Sequence, residues 1–169
     1  MELDFYNDHL STTEVNHWYS EDFIISSITE YLKENGYKIH KDSGKPTERN
    51  EKVVIASKYF TKEIIEIKGF PYKNANYSGL QKSSVSSAHA KHWFSDALFS
   101  SLINFGKYYS IENAEVAMAL PNVDRYKAII EKVQDYFTIN NLFFKIYLVN
   151  EDGEVEVSNL NENMRNKQQ

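Results

Sequence analysis

The fold class predicted by this chain is α/β: a central sheet flanked by helices. Three observations predict it. Apolar stripes at helical spacing alternate with short β-branched runs, which is the order of an α/β domain. Two β-branched runs, at 51–58 and 62–68, follow one another closely, as neighbouring strands do. The chain has 169 residues, 41% of them apolar and 14% aromatic, enough for one full core. It reads as a single domain over 1–158 and a polar, disordered tail over 159–169.

The elements follow in order. Ser11-Thr12-Thr13-Glu14 has capping-box spacing and opens a short helix to about Trp18. A stronger helix covers about Glu21 to Asn35, with Ile24, Ile28, Tyr31 and Leu32 on one stripe and Gly36 as its stop. Glu21 and Asp22 favour its first turn. Glu30 lies beside the stripe and reads as a solvated helix-face residue rather than part of a metal cleft. Tyr37 to His40 is a short strand, and Lys41-Asp42-Ser43-Gly44-Lys45-Pro46 is loop chemistry. The strand Glu51–Lys58 centres on Val53, Val54 and Ile55, and the aromatics Tyr59 and Phe60 in the next turn are expected to pack on the sheet, with covering a partner as the other reading.

The strand Lys62–Lys68 carries the first chemistry. Alternation puts Ile64, Glu66 and Lys68 on one face and Glu63, Ile65 and Ile67 on the other. A carboxylate and an ammonium thus project side by side from the end of an apolar strand, which Gly69 and Pro71 close. The carboxylate can hold a divalent cation, and the lysine can position water or offset charge on phosphate.

From Gly69 to Ser87 periodicity is lost, and the segment is expected to be the most mobile internal one. Its Tyr72, Lys73, Tyr77 and Lys82 suit a nucleic-acid contact loop, with aromatics to stack on bases and lysines to meet phosphates; tyrosines that anchor a loop are the other reading. The helix Ala88–Phe105 follows, with Gly106 as its stop and Ala90, Trp93, Phe94, Ala97, Leu98, Leu102 and Phe105 as its apolar stripe. His89, His92 and Asp96 lie beside the stripe as a possible metal set, but the histidines are three apart, not the four that zinc on a helix favours, so His89 is assigned to phosphate rather than to a metal.

Glu115–Leu120 is a strand ended by Pro121, and Asn122 is the expected cap of a helix whose stripe is Tyr126, Ile129, Ile130, Val133 and Phe137. Asn140-Asn141 turns the chain into Leu142–Val149, apolar on both faces and therefore interior. Asp152-Gly153 is a hairpin turn into Glu154–Val157.

The chain has no cysteine, which excludes disulfides, thiolate metal sites and Cys nucleophiles. Met1-Glu2-Leu3-Asp4 has no basic and apolar leader pattern, and no apolar run reaches membrane length, so the expected compartment is the cytoplasm. The net charge of -5 argues against a basic nucleic-acid binder overall, while leaving room for a local basic cleft.

Helix, three strands with Glu-x-Lys on the last, then helix and strand, resembles the core of the PD-(D/E)XK, or restriction-endonuclease-like, superfamily from about Glu21 to Val157. Glu66-Ile67-Lys68-Gly69-Phe70-Pro71 is similar to the Glu-Val-Lys-Gly-Tyr-Pro of small bacterial members, and His89-Ala90-Lys91-His92-Trp93-Phe94 to their Gln-Ala-x-His-Trp-Phe. The resemblance implies a mixed central sheet and a nuclease-like protein, a candidate metal-dependent phosphodiester hydrolase. Glu66, Lys68 and His89 would be its catalytic residues, with Mg or Mn as the metal. The expected partner is nucleic acid, DNA ahead of RNA, met by Tyr72, Lys73, Tyr77, Lys82 and Lys91, with homodimerisation left open. The departure lies upstream, where Val53 occupies the position of the superfamily's Asp. Glu51 then becomes the candidate second metal ligand, ahead of Asp42. The alternative is a non-catalytic nucleic-acid-binding or protein-interaction module on the same fold, and whether the chain is an enzyme stays open.

Overall fold

In the computed structural model the described residues are 20–40, 43–44, 52–70, 87–108 and 113–161. The elements run α1 (Glu21–Glu34), β1 (Lys38–Ile39), β2 (Lys52–Lys58), β3 (Thr61–Ile67), α2 (Ser87–Tyr108), β4 (Ala114–Pro121), α3 (Asp124–Ile139), β5 (Lys145–Val149) and β6 (Val155–Asn159). The strands lie in sequence order in one six-stranded mixed sheet. β1, β2 and β3 form an antiparallel meander, β3, β4 and β5 are parallel, and β6 returns antiparallel. The α2 and α3 crossovers are what make those parallel pairings possible, because parallel neighbours need a long connection.

β3 is therefore interior to the sheet, and its alternation sends Ile65 and Ile67 to the α1 core while Ile64 packs with Val53 and Ala114 on the other face. Ile65 and Ile67 join Ile24, Ile28 and Leu32 of α1, together with Val54, Ala56, Ala117, Ala119, Tyr147 and Val149. On the opposite face Met118, Leu120, Ile146 and Leu148 meet Ala90, Phe94 and Ala97 of α2 and Tyr126 and Ile130 of α3. α1 starts where it should, since Ser20 Oγ accepts a hydrogen bond from Phe23 N at 3.2 Å and Glu21 and Asp22 occupy the first turn. It ends at Asn35, and Gly36 takes the left-handed backbone at φ +79 that a side chain would resist. Glu30 is solvated, as expected.

Several expectations change. α2 passes through Gly106 to Tyr108, and the glycine keeps a helical backbone instead of terminating it. The sheet-facing side of α2 is more polar than its apolar stripe suggests. Ser100, Ser101 and Asn104 are buried while Leu102 stays 49% exposed. Ser101 Oγ donates to Ala97 O at 2.8 Å and reaches Ala117 O of β4 at 3.2 Å, so this hydroxyl is paired where it is buried. Trp93 is only half-buried, whereas Phe94 is the core residue. Asn122 does not cap α3; Val123 holds that position without a side-chain bond. The Asn122 amide instead donates to Asn150 Oδ1 and Glu156 Oε1, tying the ends of β4, β5 and β6 together. β5 begins only at Lys145, leaving Leu142 and Phe143 exposed before it. Tyr59 and Phe60 do not pack; they stand 90% and 95% exposed on a two-residue turn, with Tyr59 at φ 55.

Glu63 shares the α1 face with Ile65 and Ile67, yet it is 1% exposed. It is paired in place: Tyr147 OH donates to its Oε1 at 2.5 Å and Lys145 Nζ at 3.0 Å. Burial first, and then the Glu63 charge, push the Tyr37 phenol up to about 12 and raise Tyr147 as well; burial alone raises Tyr126. A phenol that keeps its proton in the folded chain after the unfolded chain has lost it stabilises the fold below the ordinary value near 10. That stability is lost as pH rises from there towards the raised values. Alkaline unfolding is thus expected to set in above about pH 10 and to release phenolate absorbance together with helical signal. Full ionisation of all tyrosines in a chain that keeps its native circular dichroism would refute this.

Candidate functional site

The end of β3 brings the two motif residues to one face, that of α2. Glu66 is 2% exposed, and its Oε2 accepts a hydrogen bond from Asn104 Nδ2 at 3.1 Å. Its lateral neighbours in the sheet are Val53 of β2 and Met118 of β4, both buried. Lys68 lies just past the strand, and its backbone N donates to Ala119 O at 3.0 Å, which prolongs the pairing with β4. Its ammonium forms an ion pair with Asp96 Oδ2 at 2.5 Å and sits 5.2 Å from the centroid of the Trp93 ring.

One helix therefore supplies each of the partners just named. Trp93 and Asp96 lie about one turn apart and serve Lys68; Asn104, two turns further on, serves Glu66. The chain leaving the motif is also held. Tyr126 OH donates to Gly69 O at 3.2 Å, and its ring packs edge-on against Phe70 at 5.5 Å. Tyr126 is fully buried in the first turn of α3, so α3 fixes where the chain departs after Lys68.

Of the residues expected at the site, Glu66 and Lys68 both face α2 and are held by different turns of it. His89, Lys91 and His92 stand exposed on the first turns of α2. Asp42, Glu51, Tyr72, Lys73, Tyr77 and Lys82 lie outside the described residues, as do the short helix expected at 11–18, most of the loop expected at 69–87 and the tail beyond 161. Val53 stands directly opposite Glu66 in the β2–β3 register. Asn104 escaped the sequence reading, and so did Asp96 as the partner of Lys68. The signal for Asn104 was a polar residue on the Ala90, Ala97 side of the helix, facing a strand that itself carries an acid.

A magnesium ion takes near-octahedral oxygen ligands and dehydrates reluctantly. Among the described residues no three His, Asp or Glu side chains gather to hold one. Glu66 is flanked by Val53 and Met118 and is engaged by an amide donor, while the Asp96 charge is already matched by Lys68. These residues do not by themselves fit such an ion. What the arrangement does is secure a buried carboxylate and an ammonium to α2.

No helix among the described residues is long and apolar enough to cross a membrane. No family model and no curated protein matches the chain. Among solved structures it is similar to an fdxN element excision controlling factor protein from Anabaena variabilis, at 20% identity, over 83% of this chain and 99% of that one, with a TM-score of 0.53. That likeness is one of fold: a mixed α/β sheet covered by helices.

Proposed function

We propose that this chain is a non-catalytic nucleic-acid-binding module built on a restriction-endonuclease-like core, in which the Glu-x-Lys pair has become structural. One observation carries the reading: the residue opposite Glu66 is Val53, so no second carboxylate comes from that position. The pairing of Lys68 with Asp96 and of Glu66 with Asn104 supports it, since each motif group already serves the packing of α2. The exposed His89, Lys91 and His92 form the face offered to phosphate, with DNA as the preferred ligand.

A second reading, a magnesium- or manganese-dependent nuclease, is favoured by the position of Glu51. It directly precedes β2 and has the strand parity of Val53. That reading requires the Glu51 carboxylate to reach Glu66.

Fluorescence anisotropy with duplex and single-stranded DNA and RNA, beside cleavage assays with added Mg²⁺ or Mn²⁺, separates the two. Salt-sensitive binding without cleavage is expected. Lys91→Ala should weaken it and reduce the slope of log affinity against log salt by about 0.9 if Lys91 meets a phosphate. Glu66→Gln should leave binding intact. Metal-dependent cleavage abolished by Glu66→Gln or Glu51→Gln would establish the nuclease instead. Absence of binding to every nucleic acid at low salt would leave the fold as a protein-interaction module.

A further inference from the structure

The outer face of α2 is apolar where solvent would favour charge. Phe99, Leu102 and Ile103, spaced at i, i+3 and i+4, are 65%, 49% and 46% exposed. Tyr136 of α3 is 63% exposed, and helical spacing puts it on the side that carries Ile129 and Val133, whose cluster includes Phe94 and Ala97 of α2. With about 200 Å² for each aromatic side chain, the four expose on the order of 400 Å² of largely apolar surface. A standard interface takes about 800 Å² from each partner, so these residues supply about half of one, the apolar centre rather than the rim.

Gly106 extends the same face. Glycine is the poorest helix former after proline, yet here it lies inside a 22-residue helix with an ordinary helical backbone. A Cβ built on it would meet nothing within 4 Å among the described residues, so no contact with them accounts for it. A close approach from outside would.

We propose that this face is a homodimer interface in which α2 packs antiparallel against α2 of a second copy. A two-fold axis passing beside the helix, level with the midpoint of Leu102 and Ile103, sets Leu102 against Leu102 of the other copy and Ile103 against Ile103. Phe99 and Gly106 lie equally far from that axis on opposite sides, so each Phe99 ring settles over the glycine of the other copy. One surface thus supplies both the large residue and its seat, as an isologous contact requires. Charge does not oppose it, because Asp96, the acid nearest the patch on α2, is paired with Lys68. The inference is independent of the functional reading above.

Sedimentation velocity of the full chain over a micromolar concentration series tests it. A reversible monomer–dimer equilibrium is expected, and Leu102→Glu should weaken it at least tenfold by placing two carboxylates beside the axis. The site is half exposed, so circular dichroism should stay native. As the chain has no cysteine, a single one reports geometry directly. Leu102→Cys should oxidise to a covalent dimer, and Glu30→Cys on solvated α1 should not. A chain that stays monomeric throughout, a dimer unaffected by Leu102→Glu, or equal crosslinking of the two cysteine variants would overturn the proposal.

Discussion

Glu63→Ala is expected to lower the free energy of unfolding by about 3–5 kcal/mol, the usual cost of removing one partner from a buried ion pair. The Glu63 carboxylate is 1% exposed and accepts from both Lys145 and Tyr147. Its loss leaves the Lys145 ammonium, with a side chain only 15% exposed, and the Tyr147 hydroxyl without that acceptor. Glu115 lies 4.0 Å from Lys145 but is half in solvent, so it compensates poorly. Glu63→Gln should cost less, because the amide oxygen still accepts from Tyr147. Replacing the pair with apolar residues, Glu63→Leu with Lys145→Met, should recover much of the loss, since the desolvation of both charges is then avoided. Urea denaturation with an unchanged m-value measures each. A single-variant loss below about 1 kcal/mol would mean that the network adds little beyond a surface ion pair.

Phe94→Ala should cost about 3–5 kcal/mol, whereas its neighbour Trp93→Ala should cost markedly less. The Phe94 ring is 3% exposed and packs 6.3 Å from the Tyr126 ring, inside the core that α2, α3 and the sheet share. Trp93 is half-buried and its described ring contact is with the Lys68 ammonium, an interaction of about 1 kcal/mol at a partly exposed site. Thermal or urea unfolding of the two variants decides the order. An equal or greater loss for Trp93 would place the helix in a different rotation on the sheet.

The elements of this fold were legible because they rest on local periodicity. The alternation of β3, the stripe, acidic first turn and stop of α1 and the turn at Asp152-Gly153 each follow from residues within a few positions of one another. The side of β3 that carries Glu66 and Lys68 was likewise readable, because strand parity admits only two faces. The rotation of α2 was not. An apolar stripe read from spacing counts Leu102 and passes over Ser100, Ser101 and Asn104. Which side turns inward was decided by what the sheet presents: a Glu66 carboxylate needing a donor and an Ala117 carbonyl within reach of a hydroxyl.

By itself, then, the sequence determined the α/β class, the strand carrying Glu-x-Lys and the apolar Val53 on the strand before it. It could do so because each depends on neighbours in the chain. Only the tertiary structure decided that Val53 lies directly across from Glu66, that Lys68 is held by Asp96, and that Glu63 is buried rather than solvated. Those outcomes join residues 13, 28 and 82 positions apart, and no local pattern encodes them. The physical reason is that a polar side chain tolerates burial only when the fold brings it a partner, and the partner comes from another element.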